Sequence, residues 1–160
     1  MPTDLREFVF RIGNDGRIAR HELWMAEAGL QALRSTCLRG KVGCVIVVDR
    51  QSVVRGYNGA PPGQDHCLDV GCDLSFGDEA GCQRIVHAEA NAVAHAASLG
   101  IQIRNGIVYC THSPCVKCTQ LLASAGIAAI YYHNKYRATP WELLAELGIP
   151  CHHYHAGEDA

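Results

Sequence analysis

The chain has 160 residues, of which 48% are hydrophobic, and a formal net charge of −2 at pH 7. This length and composition are typical of one globular domain with a core of ordinary size. The charge balance argues against a dedicated nucleic-acid binder, because holding a long phosphate backbone requires a basic excess. No run reaches the ~18 apolar residues that are needed to cross a bilayer, so we expect no membrane association.

The nine cysteines bear on the compartment in which the protein works. Residues 1–11 contain no apolar run of signal-peptide length, so we expect a cytoplasmic protein. In a reducing cytosol, cysteines serve as thiols and metal ligands rather than as disulfides. An odd number of cysteines also fits a pure disulfide framework poorly.

Hydrophobic periodicity predicts helices and strands that alternate along most of the chain. We expect a flexible segment at 1–19 with a turn at 13–16, one domain at 20–155, and a mobile tail at 156–160. The predicted elements are helix 20–37, strands 42–48 and 52–57, helix 87–99, strand 107–111, helix 115–125, strand 127–133, helix 140–147 with Pro140 as its first residue, and strand 149–154. Their order indicates an α/β fold in which a sheet with parallel strands carries helices on its faces.

Two short motifs carry residues that suit metal-dependent hydrolysis. His87 and Glu89 belong to the sequence His-Ala-Glu, and Cys115 and Cys118 belong to Pro-Cys-Val-Lys-Cys. One imidazole and two thiolates suit Zn²⁺, and three protein ligands leave the open fourth position of a catalytic site. Glu89, two residues after the histidine, can take a proton from water and pass it on.

Each motif alone has a simpler interpretation. His87 and Glu89 could be a helix N-terminus with an acidic residue in its first turn, and the cysteine pair could be a redox motif or half of a zinc ribbon. Together, in this order, they resemble the signature of zinc-dependent nucleobase deaminases. We therefore predict a catalytic zinc, and keep a structural or lost site as the alternative.

Further segments extend this likeness, namely residues 34–37, 41–43, 56–59, 66–67, 87–92, 113–118 and 125–127. In these segments the chain resembles the deoxycytidylate (dCMP) deaminase family, over residues 24–154. The resemblance implies a three-layer α/β/α cytidine-deaminase-like fold, with a mixed five-stranded sheet and helices on both faces. Residues 64–84 would form an insertion that carries several cysteines.

The resemblance implies hydrolysis of dCMP to dUMP, which supplies thymidylate synthesis. It also implies a homo-hexamer that dCTP activates and dTTP inhibits, with Mg²⁺ bound to the effector nucleotide. Deamination of dCTP or of a 5-modified dCMP by the same residues is an alternative. A polynucleotide deaminase would need a cationic groove or an aromatic platform, and a non-catalytic nucleotide-binding regulator would not need Glu89.

The family pattern, carried over by position, gives roles to individual residues. The zinc ligands would be His87, Cys115 and Cys118, with Glu89 as the proton shuttle. The candidate substrate contacts are Asn58, Arg39 and Lys41. The effector site would include Tyr57, Asn58, Gly59 and Gly63. For the two cations, the alternative is that they are simply solvated at a helix end.

A second metal is predicted in the insertion. The cysteines that resemble the structural zinc ligands of some family members are Cys37, Cys67, Cys72 and Cys82, with His66 as an alternate to Cys67. A metal could order a segment that lacks a hydrophobic core of its own. We predict two zinc ions per chain, and a set of free thiols is the alternative. Three other cysteines, Cys44, Cys110 and Cys151, are interpreted as core residues.

The tract at 151–155, Cys-His-His-Tyr-His, resembles a metal-binding sequence. We interpret it instead as the last strand running out to the surface. The alternation of side chains along a strand would place successive imidazoles on opposite faces.

Overall fold

The computed structural model describes residues 18–77 and 81–155. The predicted turn at 13–16 and the predicted tail at 156–160 lie outside the described residues, as do residues 1–17 of the segment predicted to be flexible. The elements in chain order are α1 (Arg20–Ala32), β1 (Gly43–Val48), β2 (Ser52–Tyr57), α2 (Cys67–Val70), α3 (Ala88–Leu99), β3 (Ile107–His112), α4 (Val116–Ser124), β4 (Ala129–Asn134), α5 (Trp141–Glu146) and β5 (Cys151–His153). Within the described ranges, no helix has the length and apolarity that crossing a membrane would require.

The five strands form one mixed sheet in the order β2-β1-β3-β4-β5. Strand β1 is antiparallel to both of its neighbours, whereas β3, β4 and β5 run parallel to one another. The carboxyl ends of β2, β3 and β4 and the start of β1 therefore meet at one edge of the sheet. Ligand sites in α/β proteins form at the carboxyl ends of such strands.

Helices cover both faces of the sheet, which confirms the predicted three-layer α/β/α architecture. On one face, alanines and leucines of α3, α4 and α5 pack against inward residues such as Ile46, Val108 and Ile130. On the other face, Met25 and Ala28 of α1 pack against the alternate residues of the same strands. Successive strand residues point to opposite faces, and β1 is apolar at both parities because both faces are covered.

Two glycines allow helices to lie directly on the sheet. A Cβ on Gly43 of β1 would come within 2.0 Å of the Ala28 carbonyl oxygen in α1. A Cβ on Gly56 of β2 would come within 2.3 Å of the Ala88 carbonyl oxygen, at the start of α3. Both glycines are therefore required by close packing of backbone on backbone, and Gly56 fixes the position of the helix that begins after His87.

Some predicted boundaries were wrong. Helix α1 ends at Ala32 rather than at Cys37, because the next amides bond to carbonyls only three residues back. The Ser35 hydroxyl then accepts a hydrogen bond from the Cys37 amide at 3.2 Å, a local bond of the kind that competes with helix continuation. Pro140 precedes α5 instead of starting it. The insertion, predicted to be irregular, contains the one-turn helix α2.

Candidate metal and catalytic site

Three side chains converge where two helices begin. His87 directly precedes α3 and Cys115 directly precedes α4, while Cys118 lies one turn into α4. The His87 Nδ1 atom is 3.5 Å from the Sγ atom of Cys115 and 3.5 Å from that of Cys118. The structure thus brings together the three zinc ligands predicted from the sequence.

The separations match what one zinc ion requires. With Zn–N near 2.0–2.1 Å and Zn–S near 2.3 Å, tetrahedral nitrogen and sulfur ligands lie about 3.6 Å apart. Hydrogen bonding from Cys118, and then from His87, lowers the pKa of the Cys115 thiol, which favours the thiolate that a metal needs. The donor set therefore fits zinc, and within residues 18–77 and 81–155 it comprises these three ligands, which leaves a fourth tetrahedral position for water or substrate.

Glu89 lies beside these ligands in the first turn of α3. Its side chain is 5% exposed and faces the same cavity as His87 and Cys115. Burial raises the pKa of the Glu89 carboxyl, and the nearby His87 partly opposes this rise. A raised pKa makes this carboxyl a better proton acceptor than a solvated glutamate, which suits a general acid and base.

The ligands open into a cavity of about 370 Å³. This volume lies within the range of small-molecule sites. It is lined by Cys37, Arg39, Gly40, Val42, Asn58, Gly81, Cys82, Ile85, His87, Ala88, Glu89, His112, Ser113, Cys115, Tyr136 and Arg137. The cavity is therefore built at the sheet edge where three strands end, and His87, Cys115 and two arginines are among its lining residues.

The predicted substrate contacts differ in how they relate to this cavity. Arg39 and Asn58 line it, whereas Lys41 is exposed and is not among the lining residues. The Asn58 side chain already makes two bonds to the backbone, as its Oδ1 accepts from the Val42 amide and its Nδ2 donates to the Gly40 carbonyl, each at 2.8 Å. Its role in binding a nucleotide stays a prediction.

The predicted effector loop lies next to the metal ligands. Gly59 exchanges two backbone hydrogen bonds with Val86, the residue before His87, at 3.2 and 2.9 Å. Asn91 in α3 donates to the Tyr57 carbonyl at 2.7 Å. A shift of residues 57–63 would therefore move His87, and the role of this loop in effector binding stays a prediction.

Among the cavity residues that the sequence analysis did not assign to the site are His112, Tyr136 and Arg137. His112 ends β3, and the other two follow β4 by two and three residues. Burial lowers the pKa of His112, which keeps its imidazole neutral. The available signal was position, since polar residues after adjacent parallel strands meet at one sheet edge.

Buried hydroxyls fasten the Tyr136–Arg137 segment beside the zinc ligands. The Ser113 hydroxyl, two residues before Cys115, lies 2.7 Å from the Thr139 hydroxyl and accepts a bond from the Tyr136 amide at 2.7 Å. The Thr139 hydroxyl also bonds to the Tyr136 carbonyl at 2.7 Å. These bonds give the segment a fixed place on the cavity wall.

A second thiol group lies in the insertion. The Sγ atoms of Cys67, Cys72 and Cys82 lie within 4.8 Å of one another, and the Cys67–Cys82 separation is 3.6 Å. Two thiolates on one tetrahedral zinc lie about 3.8 Å apart, so these donors also fit the metal. Cys37 and His66, the other predicted ligands, are not in this group; Cys37 is buried at the cavity wall together with Cys82.

Comparison with known proteins gives the same signature. The family model described as the cytidine and deoxycytidylate deaminase zinc-binding region matches residues 18–134. ComE operon protein 2 of Bacillus subtilis is 39% identical over 135 residues, which cover 83% of this chain and 70% of that protein. Deoxycytidylate deaminase of Schizosaccharomyces pombe is 33% identical over 82% of this chain and 42% of its own length. This chain thus spans less than half of the yeast enzyme.

A solved structure is similar over nearly its whole length. The crystal structure of dCMP deaminase from the cyanophage S-TIM5, in complex with dCMP and dUMP, has a TM-score of 0.74 and 34% sequence identity. The alignment covers 83% of this chain and 95% of the phage chain. Most of this chain therefore shares its fold with that protein.

Proposed function

The chain belongs to the cytidine and deoxycytidylate deaminase family, and on this premise we propose that it hydrolyses dCMP to dUMP and ammonia with a catalytic zinc. The observation that carries the proposal is the position of Glu89, buried in the cavity beside three ligands at tetrahedral spacing. A non-catalytic nucleotide-binding regulator would have no use for a buried carboxyl at this point. The dCMP complex of the phage relative supports the substrate.

The chemistry divides between the metal and the protein. His87, Cys115 and Cys118 would hold the zinc, which when bound would act as a Lewis acid and lower the pKa of water to about 7. Glu89 accepts the proton of the attacking water and donates it to the ring nitrogen next to the reacting carbon. The same carboxyl then takes the remaining proton from the newly added hydroxyl and gives it to the leaving amine, which departs as ammonia while the carbonyl of dUMP forms.

The charge around the cavity supports a mononucleotide as substrate. Arg39 and Arg137 both line it, and guanidinium groups bind phosphate oxygens with strong, charge-assisted hydrogen bonds. The net charge of −2 argues against an extended polynucleotide substrate. Deamination of dCTP or of a 5-modified dCMP by the same residues remains the second candidate, because both carry the same base edge and a 5′-phosphate.

We further propose that the insertion holds a second, structural zinc on Cys67, Cys72 and Cys82. The three sulfurs have suitable separations, and a metal there would order a segment with little regular structure. The sequence analysis named Cys37 as the fourth ligand and His66 as an alternate to Cys67, and either side chain would have to move to join the three sulfurs. Because Cys82 also lines the cavity, this metal would support the wall of the substrate site.

Regulation and assembly are proposed from the family resemblance. In this proposal the chain forms a homo-hexamer in the cytoplasm, and its product supplies thymidylate synthesis. dCTP with Mg²⁺ would activate it and dTTP would inhibit it through residues 57–63. The two hydrogen bonds between Gly59 and Val86 support this route, since they connect that loop to the residue before His87.

A substrate panel tests the proposal. Purified protein is incubated with cytosine nucleosides, mono- and triphosphates, 5-methyl-dCMP and a cytosine-containing oligonucleotide, and the ultraviolet change on deamination is followed. We expect turnover of dCMP and none of the oligonucleotide. Preference for dCTP or 5-methyl-dCMP would favour the second candidate, and zinc-loaded protein that is inactive on every free nucleotide would refute the proposal. Adding dCTP or dTTP to the dCMP assay tests the regulation.

A further inference from the structure

We propose that His153 and His155 form a surface site for a divalent transition-metal ion. This site is separate from the two cysteine-containing groups described above, which are called the thiolate groups below: His87, Cys115 and Cys118, and Cys67, Cys72 and Cys82. The two residues occupy alternate positions at the end of β5, and both are exposed. The Nδ1 atom of His153 lies 2.9 Å from the Nε2 atom of His155, and the rings meet edge to face at a centroid distance of 4.1 Å. The adjacent imidazoles of His152 and His153 lie on opposite faces of the strand, whereas those of His153 and His155 lie close together.

The hydrogen bonding of His153 directs a lone pair toward that point. Its Nε2 atom lies 2.7 Å from the backbone carbonyl oxygen of His133. A carbonyl oxygen can only accept, so Nε2 must carry the proton, and in the neutral ring Nδ1 is then unprotonated. Histidines that bind metals commonly have this arrangement, with the second ring nitrogen donating to a backbone carbonyl.

The sheet holds this ring in place before any ion binds. Strand β5 pairs in parallel with β4, in a register that sets His153 beside Tyr132. The two rings pack at a centroid distance of 5.1 Å, and the Tyr154 amide donates to the Tyr132 carbonyl at 2.7 Å. The ligand is therefore preorganised on a rigid element, which lowers the entropy that binding must overcome.

The 2.9 Å contact is an N–H···N hydrogen bond from His155 Nε2 to His153 Nδ1, and an ion bound by both nitrogens would replace it at nearly the same separation. Two nitrogens at 2.0–2.1 Å from one ion lie about 2.9 Å apart at a right angle, but about 3.3 Å apart at the tetrahedral angle. Right-angled nitrogen ligands suit Ni²⁺ and Cu²⁺, which also bind imidazole more tightly than earlier divalent metals do. The part of the chain that the structure describes supplies two ligands here, so with water in the other positions binding would be weaker than at the thiolate groups.

Calorimetric titration of Ni²⁺ into protein with its zinc sites loaded tests the proposal. Nickel is preferred to copper because Cu²⁺ oxidises thiols. We expect one saturable event that His153→Ala and His155→Ala each weaken at least about tenfold. His152→Ala is the matched control, since this ring packs on Tyr131 at 5.0 Å from the other face of the same strand. It should leave Ni²⁺ binding unchanged.

Thermal unfolding of each variant shows whether it keeps the fold, and zinc content is measured before and after the titration. The proposal is overturned if wild-type protein shows no saturable Ni²⁺ binding, or if the double variant His153→Ala/His155→Ala binds as tightly as wild type. Equal weakening by His152→Ala would also overturn it, because the tract would then bind without the converging pair. If Ni²⁺ displaces zinc, the measured heat comes from Ni²⁺ binding at the thiolate groups rather than at His153 and His155.

Discussion

Glu89 is the residue whose environment most narrowly limits what the site can do. It is 5% exposed, and the first cause of its raised pKa is burial. The Glu89→Gln substitution keeps the size of the side chain but removes the proton it would carry. We expect kcat for dCMP to fall by roughly 10²–10⁴ with zinc content unchanged, as for loss of a general acid and base.

Glu142→Gln is the matched control for this prediction. Glu142 is also in the first turn of a helix, but it is exposed in α5 and does not line the cavity. Its replacement should leave kcat unchanged. Elemental analysis and steady-state kinetics on both variants check the prediction, and near-normal turnover by Glu89→Gln would remove this carboxyl from the mechanism.

Arg137 is the residue at which phosphate recognition can be separated from chemistry. It lines the cavity, and the Ser113–Thr139 bonds fix the segment that carries it. We expect Arg137→Gln to raise KM for dCMP by roughly 10–100-fold, the cost of losing a hydrogen bond to a charged group. Deoxycytidine, which has no phosphate, should be affected far less.

Arg104→Gln controls for the loss of a positive charge. Arg104 is exposed, is not among the cavity residues, and packs near Gly126. Kinetics with both substrates should show no change in this variant. An equal loss with nucleotide and nucleoside in Arg137→Gln would mean that the arginine supports the fold of the cavity instead.

At the scale of elements, the position of α3 on the sheet decides where His87 and Glu89 lie. The Gly56→Ala substitution would place a methyl group 2.3 Å from the Ala88 carbonyl oxygen, so α3 or β2 must move. Overpacking of this kind costs about 1–3 kcal/mol. We expect a loss of at least that size in the free energy of unfolding, together with weaker zinc retention.

Gly40→Ala is the control for this prediction, because nothing lies within 4 Å of the added Cβ. Its free energy of unfolding, measured by urea denaturation, should stay within about 0.5 kcal/mol of wild type. If Gly56→Ala is as stable as Gly40→Ala, the close approach of α3 to β2 is not required.

Local patterns predicted the elements better than the places where they meet. The apolar runs of β1 and β2 and the alanine-rich α3 are strong local signals, and each was placed within one residue. The end of α1 was missed because Leu33 continues the apolar spacing, although its side chain is 61% exposed. The spacing shows that an apolar residue occurs where a helix could continue, but tertiary packing decides whether the helix extends that far.

The site shows the same limit. The candidate zinc ligands could be predicted because they belong to two short motifs. His87 lies two residues from Glu89, and Cys115 lies three residues from Cys118, and both motifs are chemically distinctive. Arg137 could not be predicted, because its place in the cavity depends on the order of strands in the sheet. Cys37 was grouped with three other cysteines by resemblance, but its sulfur does not lie within 4.8 Å of all three.

For the whole molecule, two thiolate-containing groups predict the metal content and its effect on stability. We expect two zinc ions per chain in purified protein, and one in the Cys72→Ser variant. The variant should also unfold at a lower temperature, because binding to the folded state alone adds to stability. Elemental analysis and thermal unfolding measure both effects.

Cys151→Ser is the control for the loss of a thiol. Cys151 is half-buried in β5 and belongs to neither thiolate group. This variant should keep two zinc ions. A wild-type protein that binds only one zinc would contradict the structural site while leaving the catalytic site untouched.

The most direct measurement is the zinc-dependent conversion of dCMP by the purified chain, with product identified by chromatography. The account predicts dUMP and ammonia in equal amounts, loss of turnover after chelation, and recovery when zinc is added back. Folded protein with zinc bound at His87, Cys115 and Cys118 that releases no ammonia from dCMP would contradict it.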